Sequence, residues 1–342
     1  MRRGRILGDS LRPNVYHIYS RIINREKRLQ AREREEFQRL LLAHATMAGL
    51  EVFAFAIMPN HFHVLVRVPE KEEADREVTD EVLLDRLSAV YPPRSIDRIR
   101  STLEDLKGRG DEDNYHRFRG QFLARMHDLS IFVKEVKARF TMGSNKATDR
   151  SGPLWEDRFR SVLLQGDDPS LLLVVASYID LNPVRAGIVS DPKDYRHCGY
   201  GGAVGGDRGR VEAIGCLLQL SVEDAASRRE ALAQYRMLLF SKATPSSGTV
   251  PGGAKKREGV VVERIREVMD SQGRLPRLEL LRCRVRYLTD SLVLGSHEFV
   301  DSLFPGRSRP PKKVDLGNLE ILREVRGPAI FPAHAASSEK IR

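Results

Sequence analysis

Met58-Pro59-Asn60-His61-Phe62-His63-Val64-Leu65-Val66 is the stretch on which the fold turns. Before it, residues 51–57 (EVFAFAI) are apolar with aromatic and β-branched members. After the turn Met58-Pro59-Asn60, residues 61–68 (HFHVLVRV) form a second such run. The pattern predicts a β-hairpin. Alternate side chains of a strand share a face, so His61 and His63 project together while Phe62, Val64 and Val66 project the other way. Two imidazoles on one strand face are a ready pair of metal ligands. His-x-His alone fits two ordinary polar residues on a half-buried strand about as well.

Upstream, residues 13–25 (PNVYHIYSRIINR) alternate and are rich in β-branched and aromatic residues, which predicts a first strand. Residues 33–49 place Phe37, Leu40, Leu41, His44, Ala45 and Ala48 on one helical face, with Gly49 as the stop. Downstream, residues 70–128 are highly charged and helical in pattern, broken at Pro92-Pro93 and Gly108-Arg109-Gly110, and are expected to be an insertion on a smaller core. A helix near 129–141 resumes that core. A loop with Gly143 and Gly152 then leads to Trp155-Glu156-Asp157-Arg158-Phe159 and a strand near 158–165, followed by an apolar helix, 169–182, stopped by Asn182-Pro183.

On that helix Tyr178 and Asn182 are four residues apart and share a face. Tyr178 offers a phenol and Asn182 an amide oxygen able to serve as a third metal ligand. The plainer alternatives are a core tyrosine with a satisfied hydroxyl and an asparagine ending a helix. Arg158, Arg160 and Arg185 have the charge to grip a nucleic-acid strand, though each also fits an ordinary surface role. Tyr16, Tyr19, Tyr115, Tyr195 and Tyr200 rank below Tyr178 as nucleophiles because none shares a helical face with a ligand-capable amide. His17 and His127 are expected to be structural or surface residues.

The chain of 342 residues is 41% hydrophobic and 30% charged, which suffices for two domains with a sizeable core. No run approaches the roughly 20 apolar residues of a membrane span, and no signal-peptide core follows the basic start. Three scattered cysteines, Cys198, Cys216 and Cys283, speak against a disulfide framework or a cysteine-rich zinc ribbon and fit a cytoplasmic location. The net charge of +10 favours a polyanionic partner, nucleic acid before membrane.

Taken together, MPNHFHVLV (58–66), LWEDRFRSVLL (154–164) and YIDLNPVRAGIV (178–189) resemble the HUH single-tyrosine transposases of the insertion sequence 200-like family, with the REP-associated tyrosine transposases as the nearest likeness. YHIYSRIINRE (16–26) looks like that family's first strand and DYRHCGY (194–200) like its aromatic close. The resemblance covers about residues 12–200, interrupted at 70–128. It implies an α+β fold: a ferredoxin-like (RRM-like) antiparallel sheet with flanking helices, formed by 1–69 and 129–205. It further implies Tyr178 as nucleophile, His61 and His63 as metal ligands and Asn182 in the third-ligand place, where relatives often carry Gln. The ion would be Mg2+, with Mn2+ also suited to the imidazoles. The function implied is a metal-dependent single-stranded DNA endonuclease and strand transferase, working through a 5′-phosphotyrosine in DNA transposition on single-stranded or hairpin DNA, as a monomer or homodimer.

Beyond the resemblance, residues 199–209 and 241–257 look like flexible connections and 206–257 like a helix and linker. Residues 258–305 are expected to form a small, mostly helical accessory DNA-binding domain with Arg282, Arg284 and Arg286 on a basic strand face. GSHEFVDSLF begins a helix capped by Ser296, and 306–342 form a disordered tail. Three rivals stand beside the enzyme: a retired HUH domain acting as a hairpin-DNA-binding repressor, an RNA-binding module on the same topology, and a His-x-His metallohydrolase. The second would need exposed aromatics on central strands and the third further His and acidic ligands at strand ends.

Overall fold

A computed structural model describes residues 13–240, 291–303 and 329–332. The first strand, β1 (Asn14–Arg21), leads through a short 3-10 turn to α1 (Ala31–Ala48) and then to the hairpin β2 (Glu51–Met58) and β3 (His61–Val68). Four helices interrupt the core: α2 (Lys71–Glu77), α3 (Asp80–Ser88), α4 (Pro93–Gly108) and α5 (Glu112–Leu123). The core resumes with α6 (Leu129–Ala147), β4 (Arg160–Leu164) and α7 (Pro169–Asp180). Next come α8 (Asn182–Arg185), α9 (Gly199–Val204), α10 (Arg208–Leu218) and α11 (Ala225–Phe240). The later described elements are β5 (Ser291–Gly295), α12 (His297–Ser302) and β6 (Ala329–Pro332).

The strands lie in one sheet in the order β2-β3-β1-β4-β5-β6. The pairs β2–β3, β3–β1, β1–β4 and β5–β6 are antiparallel, and β4–β5 is parallel. Alternation fixes the two faces of the sheet. On one, Tyr16, Ile18, Phe62, Val64, Val66 and Leu163 bury against α1 and α6. On the other, Val15, Leu65, Val162 and Leu164 bury beneath α7 and the helices that follow it. Phe62 is 1% exposed, and burying such a side chain stabilises the fold by about 2–3 kcal/mol. Slipping β3 by one residue would exchange these faces and drive both histidines into the α1–α6 core, so the apolar residues hold the register.

Helix α1 ends as expected at Gly49, whose φ of +64° is the left-handed conformation that favours glycine. A side chain there would also collide with Arg86 Nη1 and His127 Nε2, each 2.6 Å from the position of a Cβ. Those two residues belong to the dock of the insertion. His127 Nδ1 lies 2.7 Å from Asp75 Oδ1, and its Nε2 lies 2.9 Å from Arg86 Nη1. The insertion carries its own apolar cluster, in which Leu83, Leu87, Ile99, Leu103, Phe122 and Met126 close against Met47 of α1.

One stretch departs from expectation. Residues 199–209 hold helix α9 rather than a flexible connection. Gly201 sits so close to Tyr195 that a Cβ would fall 2.1 Å from its carbonyl oxygen, and this packing absorbs the glycines. Within 206–257, helices α10 and α11 pack on the α7 side of the sheet, and Tyr235 donates to the buried Asp180 Oδ2 at 2.8 Å. Ser296 caps α12, its hydroxyl accepting from Phe299 N at 3.1 Å. Just before it, β5 extends the main sheet beside β4. Most of the expected accessory domain, including Arg282, Arg284, Arg286 and Cys283, lies outside the described residues. No helix among the described residues is long and apolar enough to cross a membrane.

Candidate functional site

Strand register assembles the site. Across the β1–β3 ladder Tyr19 faces His63, Arg21 faces His61 and His17 faces Leu65. Across β1–β4, Tyr19 faces Arg160. Leu65 belongs to the α7 side of the sheet, so by alternation His61, His63, His17, Tyr19 and Arg21 belong there too. Tyr178 comes to them from α7, a helix started by Asp168, whose carboxylate accepts from Leu171 N at 3.1 Å.

The rings form a connected group. His61 and His63 have centroids 5.1 Å apart, and Tyr178 meets the edge of His63 at 5.6 Å. His17 lies 5.1 Å from His63 and 5.9 Å from Tyr178, and Tyr19 stacks on His63 at 5.6 Å. His63 and Tyr178 are 3% and 5% exposed, whereas His61 is only half-buried and stands at the rim.

Burial governs the protonation of the histidines. It pushes the His61 imidazole down to about 4, helped by the positive charge of Arg21. It pushes His63 well below its ordinary value, with His17, His61, Arg21 and Arg185 acting in the same direction. Both imidazoles are therefore neutral at pH 7, the state in which a ring nitrogen can bind a metal. The Tyr178 phenol is raised by burial, while Arg185 and a hydrogen bond with Asn182 pull it back. The Arg185 guanidinium carbon is 5.2 Å from the Tyr178 ring centre. Arg160 Nη1 donates to the Tyr19 hydroxyl at 3.1 Å.

Helix α7 ends at Asp180, so Asn182 opens the next short helix instead of closing this one. It still reaches Tyr178, its Nδ2 donating to the Tyr178 carbonyl at 3.1 Å. This geometry leaves the amide oxygen as the atom able to meet a cation. Among the described residues no three His, Cys, Asp or Glu side chains gather to hold a metal ion. A metal here would rest on the two neutral imidazoles and a neutral oxygen, a donor set that fits a divalent ion sharing its charge with a phosphate.

Of the residues singled out from sequence, His61, His63, Tyr178, Asn182, Arg160 and Arg185 come together. Arg158 is exposed on the approach to β4, its backbone amide donating to Asp157 Oδ1 at 2.7 Å. Trp155 is core, packed on Phe37 and Phe62 at 5.4 Å. Sequence reasoning missed His17, Tyr19 and Arg21. Their signal was present in the alternation Val15, His17, Tyr19, Arg21, once β1 is known to lie beside β3.

A buried His63 and a rim His61, both neutral, beside a helix-borne tyrosine and several arginines make a site suited to an anionic phosphodiester. Residues 13–80, about a fifth of the chain, are similar to the family described as Transposase IS200 like. The matched segment includes both histidines but ends before Tyr178. A solved structure described as "Structure of the REP associates tyrosine transposase bound to a REP hairpin" is similar at 16% identity, over 60% of this chain and 85% of that one, with a TM-score of 0.36, too loose a likeness to bear on fold or function. No curated protein matches.

Proposed function

We propose that this chain is a transposase that cuts and rejoins single-stranded DNA through Tyr178, with His61, His63 and Asn182 as the metal-holding residues. The observation that carries the reading is that Tyr178, 5.6 Å from His63 on the sheet face that also bears His61, has the Asn182 amide beside it. The strand order β2-β3-β1-β4, with α1 between β1 and β2 and, beyond the insertion, α6 between β3 and β4, supports a ferredoxin-like core.

Bound at this site, Mg2+ or Mn2+ would neutralise a phosphodiester and stabilise its departing oxygen. Arg185 and Arg160 draw the DNA backbone to the site, and Asn182 holds the tyrosine and its helix end in place. The Tyr178 oxygen attacks phosphorus and the bond to the 3′ oxygen breaks. That oxygen leaves as a 3′-hydroxyl, taking up a proton to balance the one lost by the phenol, and the 5′ phosphate stays on Tyr178. Because one phosphate ester replaces another, a 3′-hydroxyl can reverse the step and rejoin DNA without ATP. The partner is single-stranded or hairpin DNA and the setting is the cytoplasm, in keeping with the net charge of +10 and the scattered thiols.

The test is a denaturing gel of end-labelled single-stranded hairpin DNA incubated with the full chain and Mg2+ or Mn2+. The wild type is expected to give a protein-sized labelled band that chelator abolishes. Tyr178→Phe is expected to give none while still binding the hairpin. Tight binding by the wild type without any adduct would overturn the enzyme in favour of the repressor. Equal cutting of the duplex would overturn the single-strand claim.

A further inference from the structure

We propose that Asn60 and His17 are positioning residues that fix the imidazole tautomers of His61 and His63, leaving the Nε2 of each ring as a bare lone pair. The value of those lone pairs rests on the metal-binding reading above, but the hydrogen bonds that create them can be tested without metal.

A neutral imidazole carries one proton on one of its two nitrogens, and only the other nitrogen can donate a lone pair. For His61 the choice follows from the turn of the hairpin. Asn60 Nδ2 donates to the Arg25 carbonyl oxygen at 2.9 Å. A carbonyl only accepts, so that end of the amide must be the NH2 group. The other end, Oδ1, therefore faces His61 Nδ1 at 2.7 Å, and it also only accepts. His61 must carry its proton on Nδ1, and Nε2 is bare.

For His63 the partner is a third histidine. His63 Nδ1 lies 2.9 Å from His17 Nε2, and one of the two nitrogens donates. If His17 donated, the proton of a neutral His63 would sit on Nε2 and block it. The metal-binding reading selects the other case: with His63 donating, its Nε2 is free, as in His61, and His17 holds its own proton on Nδ1. Such outer partners orient and polarise metal-binding histidines wherever these occur. His17 is fully buried, so bulk water does not reach the bond to compete, and its ring lies within 23° of parallel to His63. This gives a physical role to a histidine that the sequence offers only as structural: the acceptor that aims His63.

The test reads the imidazole nitrogens of the metal-free, 15N-labelled full chain by long-range proton–nitrogen correlation at neutral pH. All three rings are expected with the proton on Nδ1 and a bare Nε2. A proton on Nε2 of His63 or His61 would overturn the assignment. Mn2+ binding, followed by the loss of the free-ion electron paramagnetic resonance signal, supplies the second readout. His17→Phe is expected to weaken Mn2+ binding by roughly 10- to 100-fold. His17→Gln, whose amide oxygen can stand where Nε2 stood, should recover affinity to within about threefold of wild type, by the same reasoning. A folded His17→Phe that binds Mn2+ as tightly as wild type would overturn the proposal. A wild type with the expected tautomers that binds no Mn2+ would instead sink the metal reading and leave the hydrogen-bond assignment standing.

Discussion

Replacing Glu135 with Gln tests how the helical insertion is fastened to the α1–α6 side of the sheet. Glu135 on α6 receives Arg125 in two parallel contacts, Nε to Oε1 at 2.7 Å and Nη2 to Oε2 at 3.0 Å. Arg125 follows α5, the last helix of the insertion. On the other side, His44 Nδ1 of α1 lies 3.4 Å from Oε2. Burial alone would raise the carboxyl, but His44 and Arg125 outweigh it and hold it at about 2. The folded chain therefore binds fewer protons at Glu135 than the unfolded chain between about pH 4.5 and 2. The stabilisation is full above that window and is lost as pH falls through it. A displacement from 4.5 to about 2 corresponds to roughly 3 kcal/mol. The side chain is 21% exposed, and solvent screening lowers the expected contribution to about 1–2 kcal/mol. Urea unfolding of Glu135→Gln at pH 7 should show that loss, and the gap to wild type should close as both approach pH 2. A gap of the same size at both pH values, or none at pH 7, would refute the electrostatic account.

Phe62 lies between Phe37 and Trp155, with ring centroids 4.8 Å and 5.4 Å away. Phe62→Ala should cost about 3–5 kcal/mol in urea unfolding, and a loss below about 1 kcal/mol would contradict the packing described. Arg185→Gln removes a cation 5.2 Å from the Tyr178 ring and should raise the phenol further. Adduct formation at saturating DNA and neutral pH should then slow by about 3- to 10-fold, the equivalent of roughly 1 kcal/mol for an exposed charge. An unchanged rate would show that Arg185 does not act on the tyrosine.

Elements set by local pattern were legible in the sequence: the hairpin around Pro59-Asn60, the face shared by His61 and His63, the Gly49 stop and the Ser296 cap. Their causes lie within a few residues of chain. What could not be read was set by distance. His17 was recognisable as a strand residue, but its bond to His63 depends on β1 lying next to β3, which alternation does not specify. Gly201 reads as a loop residue until Tyr195 is seen packed against it. Asn182 was expected as the end of a helix that in fact stops at Asp180. The amide reaches Tyr178 even so, because the chain re-enters a helical turn at Asn182.

The most direct test of the account is to identify which tyrosine carries the DNA. Tyr19 and Tyr178 both lie 5.6 Å from His63, ring centre to ring centre, so proximity to the histidine does not separate them. Tyr178 has Asn182 beside it, whereas the Tyr19 hydroxyl accepts from Arg160. Full-length protein is incubated with single-stranded hairpin DNA and Mg2+, the DNA and protein are digested, and the nucleotide-bearing peptide is sequenced by mass spectrometry. The account expects the nucleotide on Tyr178 through its 5′ phosphate. A nucleotide on Tyr19, or none on any tyrosine while the DNA is cut, would contradict it.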